Sequence, residues 1–385
     1  MTDAARARRR TFAVLIALGI ANHTVLSGAR VDVSLDALDR GATPATVGLL
    51  VALFALLPML SAVAIGRFSD RVGARSPMIA GSAALALSTA LPALWPGYPA
   101  LFGSALLIGC SFTTFQVALQ HVTGELGDPH KRAKRFSHLA LAYSVSGMLG
   151  PLVAGVGIDH LGHRATFGLL ALVPLAPLAI LLWGRLPLPV PVVHEVRAAT
   201  GGTFDLVRHP ALRRVLAINA LIALGWDLHT VFVPIYGAEL GLSASQIGTV
   251  LATFGLATFV VRFAMPWIVR RLDETQVLTG ALFLSAAAYL AFPFAGGAGT
   301  LALISFALGF GLGSGQPMVM SLLSSRAPPG RMGEAAGLRM SLIQSMSVAV
   351  PLAFGALGAT LGIIPVFWGV GACLVTGGVV ARKGA

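Results

Sequence analysis

The sequence predicts an all-α integral membrane protein, with twelve transmembrane helices arranged as two six-helix bundles related by a pseudo-two-fold repeat. Composition is the first of three observations that predict this class. Of the 385 residues, 56% are hydrophobic and 11% are charged, and the mean hydropathy is +0.82. A chain with so few polar residues cannot cover the surface of a water-soluble fold of this size, so the composition indicates a protein that lies in lipid.

The second observation is the number of apolar segments. A helix needs about 20 predominantly apolar residues to cross the hydrocarbon core of a bilayer. Twelve such segments stand between charged residues and Gly or Pro breaks: 11–33, 44–66, 77–94, 98–120, 137–158, 165–184, 214–236, 245–266, 276–294, 298–321, 336–357 and 361–381. They predict an N-terminal bundle within residues 1–184, a cytoplasmic linker at 185–213 and a C-terminal bundle within residues 214–385.

The third observation is an internal repeat at a constant shift of 200 residues. Duplicated bundles of this kind hold their substrate site near the bilayer midplane, between the two repeats. We therefore expect the polar residues within the helical segments to contribute most to the substrate site. The repeated positions are Gly48, Phe54 and Arg71, which recur as Gly248, Phe254 and Arg271, and Pro151-Leu152-x-x-Gly155, which recurs as Pro351-Leu352-x-x-Gly355.

Basic residues fall mostly in the loops on one side of the predicted bundles. The chain carries 27 Lys and Arg residues and a net charge of +12. A nucleic-acid-binding protein concentrates such charge on a soluble domain, so we expect no nucleic-acid partner here. Because cytoplasmic loops carry the excess of Lys and Arg, the pattern predicts a multi-pass protein of the inner (plasma) membrane with both termini in the cytoplasm.

The loop between the second and third segments reads Gly66-Arg67-Phe68-Ser69-Asp70-Arg71-Val72-Gly73-Ala74-Arg75. It resembles the signature G-x-x-x-D-R-x-G-x-R of the major facilitator superfamily and stands where that family carries it. The resemblance implies a gating role for the matching residues, since an acid beside two arginines at a membrane surface forms charge-assisted pairs that hold a closed state. At the shift of 200 the acid is lost, because Arg270-Arg271 stands opposite Asp70-Arg71. The matching residues are Gly66, Asp70, Arg71, Gly73 and Arg75.

A second motif lies in the fifth segment, at residues 146–155. It resembles the antiporter motif G-x-x-x-G-P-x-x-G-G of proton-coupled drug exporters, with Ser146 and Ala154 in place of two glycines. The resemblance implies a conformational role for Gly150, Pro151 and Gly155, because small residues and a proline allow close packing and a bend. A generic small-residue packing face is the alternative interpretation.

The fourth predicted segment differs from that of those exporters. They carry an arginine in the fourth helix, between a Leu and a Gly, whereas the matching stretch 101–109 has Ala105 and no basic residue. Coupling through that arginine is therefore not available to this chain.

Polar side chains within the segments are candidates for substrate binding, because such groups are costly in lipid and mark functional sites. The resemblance implies that the first, fourth, seventh and tenth helices line the cavity. For the amide side chains, the alternative to substrate binding is hydrogen bonding between helices. For Arg30, the alternative is snorkelling, in which the charged end of the side chain extends to the bilayer rim. The candidates are Asn22, His23, Arg30, Gln116, Gln120, Tyr143, His229, Gln316 and Gln344.

Asp227 is the one carboxylate near the centre of a predicted segment. A carboxyl group there is costly when charged and can be neutralised by a proton or a bound cation, so Asp227 is the candidate proton carrier. His23 and His229 are alternative carriers, since imidazole titrates near neutral pH. A purely structural carboxyl group, neutralised by a neighbouring helix, is the other interpretation.

These features predict a secondary active transporter that moves a small organic solute by alternating access. Proton-coupled efflux is the leading prediction, uptake of a polar or anionic metabolite by proton coupling or exchange is the alternative, and a non-transporting membrane receptor is a remote one. The chain shows no paired carboxylates, nucleophile with a base, or metal-ligand spacing, so neither an enzyme, a cofactor nor a metal site is expected. The expected partners are a small-molecule substrate, a proton or other coupling ion and the lipid bilayer, and the expected state is a monomer.

Overall fold

A computed structural model describes residues 3–126, 132–183, 210–326 and 332–382, together with residues 186 and 188. Most of the predicted cytoplasmic linker, residues 185–213, lies outside the described residues. The helices are α1 (Asp3–Asp39), α2 (Pro44–Val72), α3 (Arg75–Leu94), α4 (Tyr98–Glu125), α5 (Arg132–Leu172), α6 (Leu175–Leu182), α7 (Pro210–Glu239), α8 (Ala244–Ile268), α9 (Glu274–Ala291), α10 (Ala298–Arg326), α11 (Met332–Leu361) and α12 (Ile363–Arg382).

The predicted all-α membrane fold is confirmed. Within the described ranges there is no β-strand, and eleven helical stretches are long and apolar enough to cross a membrane. One of these stretches, 134–182, covers the fifth predicted segment and most of the sixth. Large apolar side chains on the outer faces are exposed, for example Leu60 at 70% and Leu87 at 73%, as expected for surfaces that contact lipid rather than water.

The sixth predicted segment, 165–184, differs from the structure. Gly162, with a φ of 77°, is non-helical and divides α5 into two helices, so the fifth and sixth predicted segments lie on either side of it. A turn at Val173 and Pro174 then separates α5 from the short α6. Proline has no N–H group to continue a helix ladder, which explains the break inside the predicted segment.

Local residues explain several other helix ends. Gly41, with a φ of 82°, precedes α2, and Gly241, with a φ of 70°, precedes α8. A positive φ strains any residue with a Cβ, and the two glycines are again 200 residues apart. The start of α9 has a capping box, in which Asp273 accepts from the Gln276 N–H and the Gln276 side chain accepts from the Asp273 N–H.

Two compact units divide the chain. The first comprises residues 1–40, 53–195 and 243–248, and the second comprises residues 41–52, 196–242 and 249–385. The start of α2 therefore belongs to the second unit and the start of α8 to the first. This exchange of helix ends was not predicted from the sequence.

The repeated glycines lie at these exchanged helix ends. In the first unit a Cβ on Gly248 would overlap the carbonyl oxygen of Pro151, and in the second unit a Cβ on Gly48 would overlap that of Pro351. Each contact joins a repeated glycine to a repeated proline. Only glycine allows backbones to approach this closely, so one packing requirement, met once in each unit, explains why these positions recur in the sequence.

Each unit has its own apolar core. In the first unit, buried side chains of α1, α3, α4, α5 and α6 pack together, among them Leu15, Met78 and Phe115. In the second, Phe292 and Phe367 stack with ring centroids 4.8 Å apart. These cores hold the helices that carry the candidate site residues.

Candidate functional site

Three of the predicted residues in the first unit lie together, between α1, α4 and α5. His23 Nδ1 is 2.6 Å from the Ser146 hydroxyl, and the His23 ring lies 4.8 Å from that of Tyr143. Phe112 packs on the His23 ring at 5.3 Å. The Tyr143 hydroxyl faces Gln116 but makes no hydrogen bond of normal geometry among the described residues. We call this group the His23 cluster; it combines aromatic faces with a half-buried imidazole and the buried hydroxyl groups of Ser146 and Tyr143.

Other candidates in the first unit make different contacts. Asn22 is fully buried and donates a 2.9 Å hydrogen bond to Ser82 on α3, so the structure places it in helix packing. The Arg30 guanidinium lies over the Phe54 ring, 5.4 Å from its centroid, rather than extended toward the bilayer rim as snorkelling requires. Gln120 is half-buried on α4, one turn beyond Gln116.

In the second unit, Asp227 lies opposite α11. Its carboxylate accepts from the Ser347 hydroxyl, with oxygen–oxygen distances of 3.0 and 3.2 Å. Gln344 is half-buried on the same helix, one turn before Ser347. Ser347 was not predicted, because a single serine in an apolar segment has no distinguishing sequence pattern.

Arg262 on α8 is a residue that sequence reasoning undervalued. Its Nη2 donates a 3.2 Å hydrogen bond to the side-chain oxygen of Gln316, and its guanidinium lies 5.9 Å from the centre of the Trp226 ring. By sequence, Arg262 lies within about one or two turns of the cytoplasmic end of its predicted segment, where snorkelling to the bilayer rim is the usual interpretation. A cation inside an otherwise apolar segment was the signal that could have identified it. Arg262, Gln316 and Trp226 are called the Arg262 cluster below.

His229 does not share the environment of Asp227. It is 2% exposed, its ring stacks on Phe254 at 4.2 Å, and its Nε2 is 3.1 Å from the Ser305 hydroxyl. Because residues two apart on a helix point in different directions, the structure places His229 in the packed core of the second unit. Its predicted role in substrate binding has no support from these contacts.

The loop that carries the family signature connects α2 to α3. Gly73 has a φ of 78°, which suits the tight turn, and Arg75 donates a 2.8 Å hydrogen bond to the carbonyl of Leu181. Arg71 is exposed, and the Asp70 side chain lies outside the described residues. A Cβ on Gly66 would meet nothing within 4 Å, so among the described residues no other helix approaches this glycine closely.

The second motif packs α5 against two partners. A Cβ on Gly150 would lie 2.7 Å from both the Gly28 nitrogen and the Thr24 oxygen of α1. At Gly155 a Cβ would overlap the backbone of Ala244, at the start of α8. One turn further, the Asp159 carboxylate accepts from the N–H groups of Ala244 and Ser245, at 3.0 and 2.9 Å. Asp159 thus satisfies backbone donors that every helix start leaves open.

A separate open depression of about 660 Å³ lies at the turn between α8 and α9 in the second unit. Arg270, Arg271, Asp273 and Glu274 are among its lining residues. It contains none of the predicted substrate-binding residues, and we assign no transport role to it.

Apolar membrane helices with buried polar clusters define the class of solute transporters of the membrane. The sequence model of the Major Facilitator Superfamily matches residues 10–351. The chain belongs to this superfamily, as its signature loop predicted, and is a multi-pass secondary transporter of small molecules rather than a member of an enzyme family.

Relatives and solved structures agree with this membership. The chain is 22% identical to the quinolone resistance protein NorA of Staphylococcus aureus, over 87% of both chains. It is 26% identical to the class C tetracycline resistance protein of Escherichia coli, over 81% of this chain and 80% of that one. The fold resembles that of a POT family transporter in complex with 5-aminolevulinic acid, with a TM-score of 0.81, 12% identity, and coverage of 97% of this chain and 96% of that one.

Proposed function

We propose that this transporter is a proton-coupled antiporter that exports small amphipathic organic compounds from the cytoplasm. The observation that carries the proposal is the Asp227 carboxylate, which lies within the α7 span and is oriented by Ser347. A carboxyl group in that position can exchange a proton during the conformational cycle. Export is supported by the antiporter-like motif of α5 and by the quinolone and tetracycline resistance proteins among the relatives.

The chemistry of the Arg262 cluster indicates the type of substrate. Within the second unit, Arg262, Gln316 and Trp226 offer a cation, an amide and an aromatic face close together. A compound with fused rings and an anionic oxygen group satisfies these groups. Tetracyclines and quinolones have such structures, so they are the first compounds to test.

The test uses the purified protein in liposomes with an acidic lumen. We expect tetracycline, a fluoroquinolone or both to accumulate in the lumen as protons leave, and we expect an ionophore that collapses the pH gradient to abolish accumulation. Exchange of labelled tetracycline or fluoroquinolone without any gradient-driven accumulation would contradict proton coupling.

Uptake of a polar or anionic metabolite is the second candidate, and the Arg262 cation inside a membrane span is the observation that favours it. The direction of the gradient distinguishes the two functions. An antiporter accumulates substrate on the acidic side, whereas a symporter carries substrate and protons together toward the alkaline side. Accumulation of a labelled dicarboxylate or amino acid in vesicles with an alkaline lumen would establish uptake instead of efflux.

We also propose that the protein performs no covalent chemistry, carries no cofactor, and acts as a monomer in the inner membrane with both termini in the cytoplasm. Counterflow separates a transporter from a non-transporting receptor, because only a transporter exchanges internal and external solute.

Protease accessibility of tags at each terminus in right-side-out vesicles tests the orientation, and the mass of the detergent complex tests the monomer.

Arg262 provides a prediction about substrate recognition. Replacing it with glutamine removes the charge and the ring contact, and a hydrogen bond to a charged group contributes about 1.5–3 kcal/mol. We therefore expect Arg262→Gln to weaken tetracycline binding by at least about tenfold. Arg339→Gln is the matched control, since Arg339 is a second span arginine but donates instead to Asn219 at 2.9 Å. Equal effects of the two changes on binding would remove Arg262 from the site.

Asp70 provides a prediction about gating, based on the family signature. If Asp70 and Arg71 stabilise one closed state, Asp70→Asn lowers turnover by about tenfold for each 1.4 kcal/mol lost and leaves substrate affinity nearly unchanged. Turnover is measured as the initial rate of accumulation, and affinity by ligand titration of the same purified variant. A parallel loss of rate and affinity in folded protein would argue against gating.

A further inference from the structure

A group of titratable side chains lies at the C-terminal end of α1, apart from both clusters described above. His163, next to the bend in α5, has Nδ1 2.6 Å from an Asp32 oxygen and Nε2 3.0 Å from an Asp39 oxygen. The Asp39 side chain is 71% exposed, that of His163 is 17% exposed, and that of Asp32 is 0% exposed. The three groups therefore form a continuous connection from the protein surface to a buried carboxyl group.

Hydrogen bonding determines how many protons this group holds. Both ring nitrogens face a carboxyl oxygen, and an ionised carboxylate can only accept. Two protons are therefore needed between the three groups. Either the ring is a cation between two carboxylates, or the ring is neutral and one carboxyl group is protonated. The two arrangements contain the same number of protons, so a proton can move from the ring to Asp32 without any atom other than hydrogen changing place.

A second observation points to Asp32 as the final acceptor. Its other oxygen, Oδ2, is buried and has no hydrogen-bond partner among the described residues. An ionised carboxylate with an unsatisfied buried oxygen is costly, whereas a protonated carboxyl group carries no charge to solvate. Burial therefore favours the arrangement in which Asp32 holds the proton.

The neighbouring charged groups have other contacts. Asp36, one turn beyond Asp32, pairs with Arg40 at 2.7 Å, and Arg164 donates to the Ala93 carbonyl at 2.8 Å. Among the described residues, the other titratable or charged side chains toward this end of α1, α4 and α5 are Arg30, Tyr98, Asp159 and His160. Asp36 raises the negative charge near the ring and so favours proton uptake by the group as a whole.

We propose that Asp39, His163 and Asp32 form a proton relay that loads the transporter from the outer aqueous phase, with Asp32 as the buried acceptor. The inference rests on the proposed proton coupling and on the proposed topology, which places this end of α1 outside. In the step, a hydronium ion of the outer phase gives a proton to His163 Nε2 and leaves as water, and the Asp39 carboxylate stabilises the protonated ring. The Nδ1 proton then passes to Asp32 Oδ1, which leaves a neutral ring and a neutral carboxyl group.

The test needs no substrate, so its failure is distinguishable from failure of the efflux proposal. Infrared difference spectra of the purified protein in liposomes are recorded through a pH titration, and proton uptake is measured with an indicator dye. For the wild type we expect a protonated carboxyl band that appears together with imidazole bands. Asp32→Asn should lose that band and take up about one proton fewer. His163→Gln, which cannot carry a proton, should uncouple the carboxyl band from any imidazole change.

Asp36→Asn is the matched control, one helical turn away, and should keep the coupled step, moved to lower pH. A carboxyl band and proton uptake that remain unchanged in folded Asp32→Asn would overturn the relay and leave the contact as a tie between α1 and α5. If Asp32→Asn does not fold, His163→Gln provides the test. An infrared spectrum of His163→Gln that is the same as that of the wild type would also overturn the relay. Asp39→Asn should slow proton exchange while preserving the final carboxyl band, and an unchanged exchange rate would remove Asp39 from the path.

Discussion

Replacing Asp227 with asparagine is expected to abolish substrate accumulation driven by a pH gradient while exchange of substrate continues. Asparagine keeps the shape of the side chain and can still accept from Ser347, which bonds the carboxylate at 3.0 Å, but it cannot carry a proton. Without a proton carrier the conformational cycle no longer uses the gradient. We expect accumulation in liposomes to fall by at least about a hundredfold, equivalent to roughly 2.7 kcal/mol, with exchange within a few-fold of the wild type.

Glu239→Gln is the control for this experiment. Glu239 is the last residue of the same helix, and we expect its replacement to leave accumulation unchanged. Ser347→Ala should give an intermediate loss, since the proton carrier remains but loses a hydrogen bond. Undiminished accumulation in Asp227→Asn would exclude Asp227 as the carrier, and His23 would then be the next residue to replace.

Replacing Gly150 with valine is expected to prevent stable folding of the first unit. A Cβ there would lie 2.7 Å from the Gly28 nitrogen and the Thr24 oxygen and would overlap the Ser27 hydroxyl. Backbone atoms of α1 cannot move aside as a flexible side chain can. Overpacking a core costs about 1–3 kcal/mol, occasionally more, and this position is among the tightest crossings of α1 and α5. We expect a lower yield of monodisperse protein and a lower melting temperature in detergent.

Gly147→Val is the matched control on the same helix. A Cβ on Gly147 would meet nothing within 4 Å, so we expect a melting temperature close to that of the wild type. Equal melting temperatures of the two variants would show that the close approach at Gly150 does not limit stability. That result would also contradict a packing role for the motif.

The sequence alone predicted the fold class because composition, segment length and the 200-residue repeat depend only on local chemistry and on duplication. It also identified His23, Tyr143 and Gln116, which the fold brings together, because polar groups are conspicuous in apolar helices. It could not distinguish Asn22, which bonds to Ser82 on α3, from a residue that faces substrate. Both interpretations are consistent with an amide in a helix, and only the packing of the neighbouring helix separates them.

The helical membrane fold, the membership of the major facilitator superfamily, the signature loop and a carboxylate within an apolar segment at Asp227 all follow from the sequence. Tertiary structure decided which of the polar residues meet. His163 lies 131 positions from Asp32, and Arg262 lies 54 positions from Gln316. Helical periodicity relates residues only within a few turns. Contacts over such separations depend on how helices pack, which is why the contacts of Asp32 with His163 and of Arg262 with Gln316 are seen only in the folded chain.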